Sequence, residues 1–364
     1  MKFVLVEKRH FENTALNKAP DDVMRVAESL GFVRLMVNAC RPHGKSIVHR
    51  VLARVAWYME SICLTRKLKA GDLVLLQSPP NFLIRRAGCR FLERQKLRGV
   101  RFVYIVHDIG ELREANATSK GLSRMLFFAT VRVCEKIIVH NEAMKNWCVK
   151  QGIHSKQLMV LKIFDYLIEE SAAHQMVSGR GEFNAENATS CEIAIAGNLS
   201  EVKAPYIRDL SSVAEVRWRL YGPNYVVPLS GFSPTITYCG SVPPDVLPTV
   251  LSGAFGLVWD GNSVETCSSA TGEYLRYNNP HKLSLYLACG VPVIIWDDAA
   301  EAQFVREEHV GFTVRSLKEI PAKLRTLDAF AYRTMLENAC RLSKQLRRGE
   351  YTKRILLGII GVQG

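Results

Sequence analysis

Phe255-Gly256-Leu257-Val258-Trp259-Asp260-Gly261, followed at 278–296 by Asn278-Asn279-Pro280-His281-Lys282-Leu283-Ser284-Leu285-Tyr286-Leu287-Ala288-Cys289-Gly290-Val291-Pro292-Val293-Ile294-Ile295-Trp296, sets a buried strand, a polar loop, a capped helix and a second buried strand in succession. An α/β fold builds an anion pocket in this way. Asn279 is placed to cap the helix, and Pro280 is preset for the first helical position, where the missing donor is not needed. Lys282 adds a cation at the positive end of the helix dipole, so a diphosphate would sit there readily. Taken alone, the motif also describes a plain helix start with a solvated lysine. The surrounding loops decide between the two readings.

Outward from this stretch, apolar runs of strand length recur with helical patterns between them. They cover 32–39, 73–77, 102–107 and 136–140, then 192–196, 216–221, 235–239, 256–259 and 291–296. Such alternation makes parallel sheets covered by helices. Residues 169–190, rich in Ser, Gly, Ala, Asn and Glu with little to bury, read as an interdomain linker. The expected plan is therefore a first domain over 1–168, the linker, a second domain over 191–345, and a helix over 346–364 that packs back on the first domain.

At 364 residues the chain is long for one core and suits two domains of roughly 150–200 residues. A hydrophobic content of 48% beside 23% charged residues describes a globular protein. No apolar run approaches the ~20 residues of a bilayer span, and charge breaks the opening Met1-Lys2-Phe3-Val4-Leu5-Val6-Glu7 before a signal core could form. These features predict a cytoplasmic protein. The scattered cysteines include no Cys-x-x-Cys pair, and no His cluster has ligand spacing, so they read as small buried hydrophobes without a metal. The sequons at Asn116 and Asn187 carry no weight in such a compartment.

Charge is unevenly divided. Residues 1–165 hold 29 Lys and Arg against 14 Asp and Glu, or +15, whereas 166–364 hold 19 against 21, or −2. A basic half of this kind meets polyanions. Its densest run, Arg85 to Arg101, reads as a helix with one apolar stripe and cations elsewhere. Such a helix suits an anionic lipid surface, or is simply solvated. Nucleic acid is disfavoured because aromatic residues are not interleaved with the cations.

In doubly wound domains ligands bind at the carboxyl ends of the strands. In the second domain those positions hold Gly197-Asn198-Leu199-Ser200 with Lys203, Tyr221-Gly222-Pro223, Gly240-Ser241 and Asp260-Gly261-Asn262-Ser263. Glycines let a backbone approach a ligand closely, and Lys203 and Lys282 would neutralise a diphosphate. Neither the dinucleotide-binding glycine fingerprint nor a P-loop is present, which argues against a nicotinamide enzyme and a P-loop nucleotidase.

Several stretches together resemble a known family. They are Ala196-Gly197-Asn198-Leu199-Ser200, Phe255 through Ser268, Gly272 through Lys282 and Trp296-Asp297-Asp298-Ala299-Ala300. In the first half they are His107-Asp108-Ile109-Gly110-Glu111-Leu112-Arg113, Val139-His140-Asn141 and Lys162 through Leu167. The chain is similar over nearly its whole length to the bacterial β-1,6-galactofuranosyltransferases of O-antigen synthesis, and to the related streptococcal glucosyltransferase that extends N-acetylglucosamine on adhesins. The resemblance implies a GT-B fold, two Rossmann-like domains facing across a cleft. A sugar nucleotide would be held by the second domain and an acceptor by the first, with no metal or other cofactor.

The expected nucleotide contacts are Gly197, Asn198, Lys203, Tyr221, Gly222, Gly240, Asn279 and Lys282, with Asp260 and Glu265 toward the donor sugar. Glu265 and Glu273 have a Glu-x7-Glu spacing but lie too far ahead of Ala288-Cys289-Gly290-Val291-Pro292 for the usual register, so the spacing reads as coincidence. Inverting transfer needs a base for the acceptor hydroxyl. The candidates are Asp108, His107 and Glu111, with Asp108 first, and Arg113 would hold an acceptor phosphate or pair with Glu111. The family's usual acid is replaced by Gly110. These readings predict transfer of a hexosyl unit, galactofuranose foremost, from its UDP ester to a lipid-linked saccharide at the inner membrane face. A UDP-glucose donor with a protein-linked acceptor, a non-catalytic partner of another transferase, and assembly as a homo-oligomer stay open.

Overall fold

The computed structural model describes residues 1–8, 15–38, 47–77, 86–114, 117–176, 191–226 and 233–361. Expectations made for Ala39, Arg85, Asn116, Asn187, residues 177–190 and residues 362–364 lie outside the described residues.

Two parallel six-stranded sheets form the frame. The first holds β1 (Lys2–Lys8), β2 (Val33–Asn38), β3 (Leu73–Leu76), β4 (Arg101–Ile105), β5 (Lys136–Val139) and β6 (Leu158–Val160), in the order β2-β1-β3-β4-β5-β6. The second holds β7 (Glu192–Ala196), β8 (Arg217–Tyr221), β9 (Ile236–Tyr238), β10 (Phe255–Val258), β11 (Val293–Trp296) and β12 (Gly311–Val314), in the order β12-β11-β10-β7-β8-β9. Strand order reverses between β1 and β3 in one sheet and between β7 and β10 in the other, and crevices for ligands open at such reversals.

Alternate residues of the inner strands face opposite layers, and both layers are buried there. In the first sheet Val74, Leu76, Phe102 and Tyr104 enter one core, while Leu73, Leu75, Val103 and Ile105 enter the other, which continues into the second domain. Parallel sheets covered on both faces read in sequence as unbroken apolar runs, which is why nine strands are visible there. The three not expected are β1, β6 and β12. The charges that flank the apolar centre of β1 conceal it, although Val4 is fully buried between two neighbours. β6 and β12 are short edge strands in which only Leu158 and Val314 are buried.

The linker expected over 169–190 begins with a short helix, Glu170–Gln175, none of whose residues is buried. The chain ends on two helices, Ala329–Arg347 and Glu350–Ile360, broken at Gly349 with φ 73°. The last helix packs on the first-domain helix Ala15–Ser29, and the backbone amides of Tyr351 and Thr352 at its start donate to Asp165.

The basic run forms the helix Arg86–Leu97, but its apolar stripe does not face outward. Phe91 and Leu92 are buried against the first-domain core, and Gln95 donates to Thr65. Lys96 and Arg98 donate to the carbonyls of Arg132 and Thr65, while Leu97 at the end of the helix stays exposed. Among the described residues no helix is long and apolar enough to cross a membrane.

Candidate functional site

The reversal between β7 and β10 is covered by the helix His281–Ala288, which packs against β10 and β11 and reaches β7 through Tyr286. Lys282 and Tyr286 lie one turn apart and so share its inner face. The Tyr286 hydroxyl accepts the Ala196 amide at 2.8 Å, at the end of β7. Lys282 Nζ donates to the Trp259 carbonyl at 2.8 Å and to Asp260 Oδ1 at 3.0 Å, just past β10. Gly256 gives this ring its place, because a Cβ there would lie 2.2 Å from Tyr286.

Beside Lys282, the ends of β7, β8 and β9 make one glycine floor. The Gly197 amide donates to Tyr221 O, and the Gly222 amide donates to Gly240 O. A Cβ on Gly222 would fall 1.7 Å from Gly197 O, whereas one on Gly197 or Gly240 would meet nothing within 4 Å. The floor is thus tight between its own strands and open on the cleft side. Asn198, exposed, braces the loop by accepting from the Ser200 amide and the Asn224 side chain. Lys203 follows, exposed, close enough for its charge to act on Asp108 in the other domain.

Three expected contacts are placed differently. Asn279 is not the helix cap. Pro280 occupies that position with extended backbone, and Asn279 is buried at the domain interface. Its amide donates to His140 Nδ1 at 2.9 Å and its side chain to the Lys162 carbonyl at 3.1 Å. Partners more than a hundred residues away outcompete the local cap. Tyr221 is buried, with its hydroxyl bonded to Arg219 and Ser252 on the strand side, so only its backbone belongs to the floor. Glu265 is exposed and tied to Ser316 and Lys318, apart from the Asp260–Lys282 pair. Glu273 pairs instead with Arg276, so the two glutamates of the Glu-x7-Glu spacing engage different partners.

Across the cleft, β4 leads into His107 and Asp108. His107 Nε2 lies 3.0 Å from Gln77 Oε1, and its ring stacks on Phe164 at 5.2 Å. Asp108 accepts from Arg113 at 2.5 Å and bonds the hydroxyl of Tyr274. It lies deep between the domains, yet 44% of its side chain is open to solvent, as fits a group on a cleft wall. Loss of water by burial raises its carboxyl above the usual carboxylate range, opposed by Arg113, Tyr274 and Lys203. Glu111 pairs with Arg124 at 2.5 Å and not with Arg113. Gly110 has no room for an acidic side chain, because a Cβ would sit 2.6 Å from Ser123 Oγ and 3.0 Å from Glu114 Oε1.

A second bridge joins the domains. Asn141 accepts from the Met144 amide and donates to Glu301 Oε1 at 2.8 Å. Glu301 is 1% exposed, and burial pushes its carboxyl up to about 8 against the bonds from Asn141 and Asn279. Beside it, burial lowers His140 to about 4, leaving a neutral ring whose Nε2 donates to Val106 O and whose Nδ1 accepts from Asn279. Glu301 and Tyr274 escape a reading of the sequence. The only signal is that both lie within or beside the motif stretches around 274 and 296.

Compared with known proteins, residues 2–163 match the model of the glucosyltransferase 3-like N-terminal domain, and residues 193–359 match that of its C-terminal domain. The β-1,6-galactofuranosyltransferase WbbI of Escherichia coli K12 is 35% identical over 73% of this chain and 73% of its own. Glucosyltransferase 3 of Streptococcus gordonii is 25% identical over 96% and 95%. Among solved structures, Anabaena HepE in complex with UDP superposes with a TM-score of 0.62 at 12% identity over the full length of both chains. WaaG, a glycosyltransferase involved in lipopolysaccharide biosynthesis, does so with 0.58 at 11% identity over 99% and 100%. Both establish the fold as GT-B.

Proposed function

Because this chain belongs to the glucosyltransferase 3-like family, and is a glycosyltransferase acting on a sugar nucleotide, we propose that it moves a hexosyl unit from a UDP-sugar to a saccharide. Galactofuranose is the foremost donor sugar, a reading supported by the 35% identity to WbbI. The nearly full-length similarity to a streptococcal glucosyltransferase 3 makes UDP-glucose the second candidate.

The observation that carries the proposal is the facing pair of sites. Lys282, Asp260 and the glycine floor lie at the strand reversal of one domain, and Asp108 lies on the opposing wall. In the inverting reaction the acceptor oxygen bonds to the anomeric carbon while the bond from that carbon to the diphosphate oxygen breaks. The hydroxyl proton passes to the Asp108 carboxylate, which burial makes a stronger proton acceptor than a solvated carboxylate. The leaving UDP takes the bonding electrons, and Lys282, Lys203 and the start of the helix His281–Ala288 balance its charge. With these cations in place, transfer needs no divalent ion.

The acceptor is proposed to be lipid-linked and the enzyme peripheral at an anionic membrane. The helix Ile47–Lys67 exposes Val51, Leu52, Val55 and Met59 along one stripe and ends on Arg66 and Lys67, within the basic half of the chain. An apolar stripe with flanking cations suits the surface of an anionic bilayer. Incubation with UDP-galactofuranose and UDP-glucose and a panel of octyl-linked and lipid-linked monosaccharides tests the reading. Transfer from either donor supports it, and no product from any pair refutes it. Flotation with anionic vesicles, lost in neutral ones and in Val55→Asp, tests the membrane part, and equal recovery with both lipids rejects it.

A further inference from the structure

We infer that Tyr274 is a positioning residue for Asp108, a bridge through which the donor-binding loop of one domain orients the candidate base of the other. The inference rests on the reading of Asp108 as base. Tyr274 is 3% exposed and belongs to the second domain, in the segment between β10 and the helix His281–Ala288. Its hydroxyl lies 2.8 Å from the backbone nitrogen of Ile109, in the first domain, and also bonds the Asp108 carboxylate. The chemistry fixes the direction of both bonds. An amide N–H only donates, so the phenol oxygen accepts from Ile109 and its single proton is left for the carboxylate. Burial raises the phenol well above its ordinary pKa, so that proton stays in place at any working pH.

The groups around Asp108 come from two sources. Arg113 and the buried Tyr104 belong to the same domain as Asp108, whereas Tyr274 and Lys203 come from the opposite one. Only the latter two depend on how the domains meet. The segment bearing Tyr274 is also wedged against the donor site. A Cβ on Gly272 would lie 2.5 Å from the Cys267 carbonyl and 3.2 Å from Asp260 O, and Asp260 holds Lys282. Residues 260–282 therefore form one packed unit that carries both the Lys282–Asp260 pair and the phenol that bonds Asp108. A donor that settles Asp260 and Lys282 settles Tyr274, and the base is aimed when there is a donor to attack.

Replacing the phenol by Phe removes a hydrogen bond that favours the charged carboxylate, so the Asp108 pKa rises and the acid limb of the pH–rate profile moves to higher pH. For Tyr274→Phe the expected results, measured on the full chain with a UDP-hexose and its acceptor, are a kcat about tenfold to a hundredfold lower and an acid limb about one unit higher. Donor KM and the UDP-induced rise in Tm stay as in the wild type. The loss disappears in the Asp108→Asn background, where there is no base left to orient. Ile109 loses its acceptor in the Phe variant, so a second variant keeps the size and both bonds. With 3-fluorotyrosine at 274, a stronger donor, the limb moves down. If Asp108→Asn is inactive but neither Tyr274 variant moves the limb, the inference fails and the assignment of the base stands. Full activity of Asp108→Asn removes the base assignment and this inference with it.

Discussion

The two walls of the cleft are built by different means. On the second domain, the proposed donor side is mostly backbone: Gly197, Gly222 and Gly240 at the ends of three neighbouring strands, with a lysine anchored on the carbonyl that follows β10. On the first domain, the proposed acceptor side is mostly side chain: His107 on Gln77 and Phe164, Asp108 on Arg113, Glu111 on Arg124. The donor wall is complete within its own domain, whereas the acceptor wall takes its final form from Tyr274, Asn279 and Glu301 across the cleft. A site that must bind one invariant group, a nucleoside diphosphate, can be fixed by strand geometry. A site that deprotonates a hydroxyl only when a donor is present gains from being assembled by both domains.

The most severe break in this comparison is Asp108→Asn. Turnover should fall about a thousandfold, as for loss of a general base, while UDP still raises the melting temperature. Retained turnover with loss of UDP protection would place the chemistry on the other wall. Next comes Gly222→Ala, aimed at the donor floor. Its φ of 149° and the 1.7 Å approach to Gly197 O give a new methyl no place, and about 2 kcal/mol or more of stability should be lost. Urea unfolding measures this, and an unchanged midpoint would show that the floor relaxes freely.

The smallest effect concerns the bridge at Glu301. Its folded pKa, about 8, lies above the ordinary value of 4.5, so the folded state holds a proton that the unfolded state has released between those limits. That contribution is complete below about pH 4.5 and fades as pH rises toward 8. Glu301→Gln, which stays neutral, should flatten the decline in stability over this window with less than a tenfold change in turnover. A slope identical to wild type would remove Glu301 as its source.

The same division explains what a reader of the sequence can see. Glycine and short polar residues after buried strands are local signals, so Gly197, Gly222, Gly240, Asp260 and Lys282 are legible as a cluster before any coordinates. Asn279 misleads because cap statistics are local, while its amide answers to His140, 139 residues away. Tyr274 is invisible for the same reason, since nothing near it in sequence indicates that its hydroxyl meets Ile109. The helix Arg86–Leu97 carries a clear apolar stripe, but amphipathicity alone does not distinguish a lipid surface from the Phe91 and Leu92 contacts inside its own domain. Gly110 likewise makes sense only once Ser123 is seen to fill the space beside it.

Titration of UDP into the wild type and Lys282→Ala, both with excess chelator, bears most directly on the donor wall being complete in itself. The expected result is saturable binding to the wild type without any divalent ion, weakened about a hundredfold in the variant. Equal affinity for both proteins, or binding that appears only when manganese is restored, would contradict it.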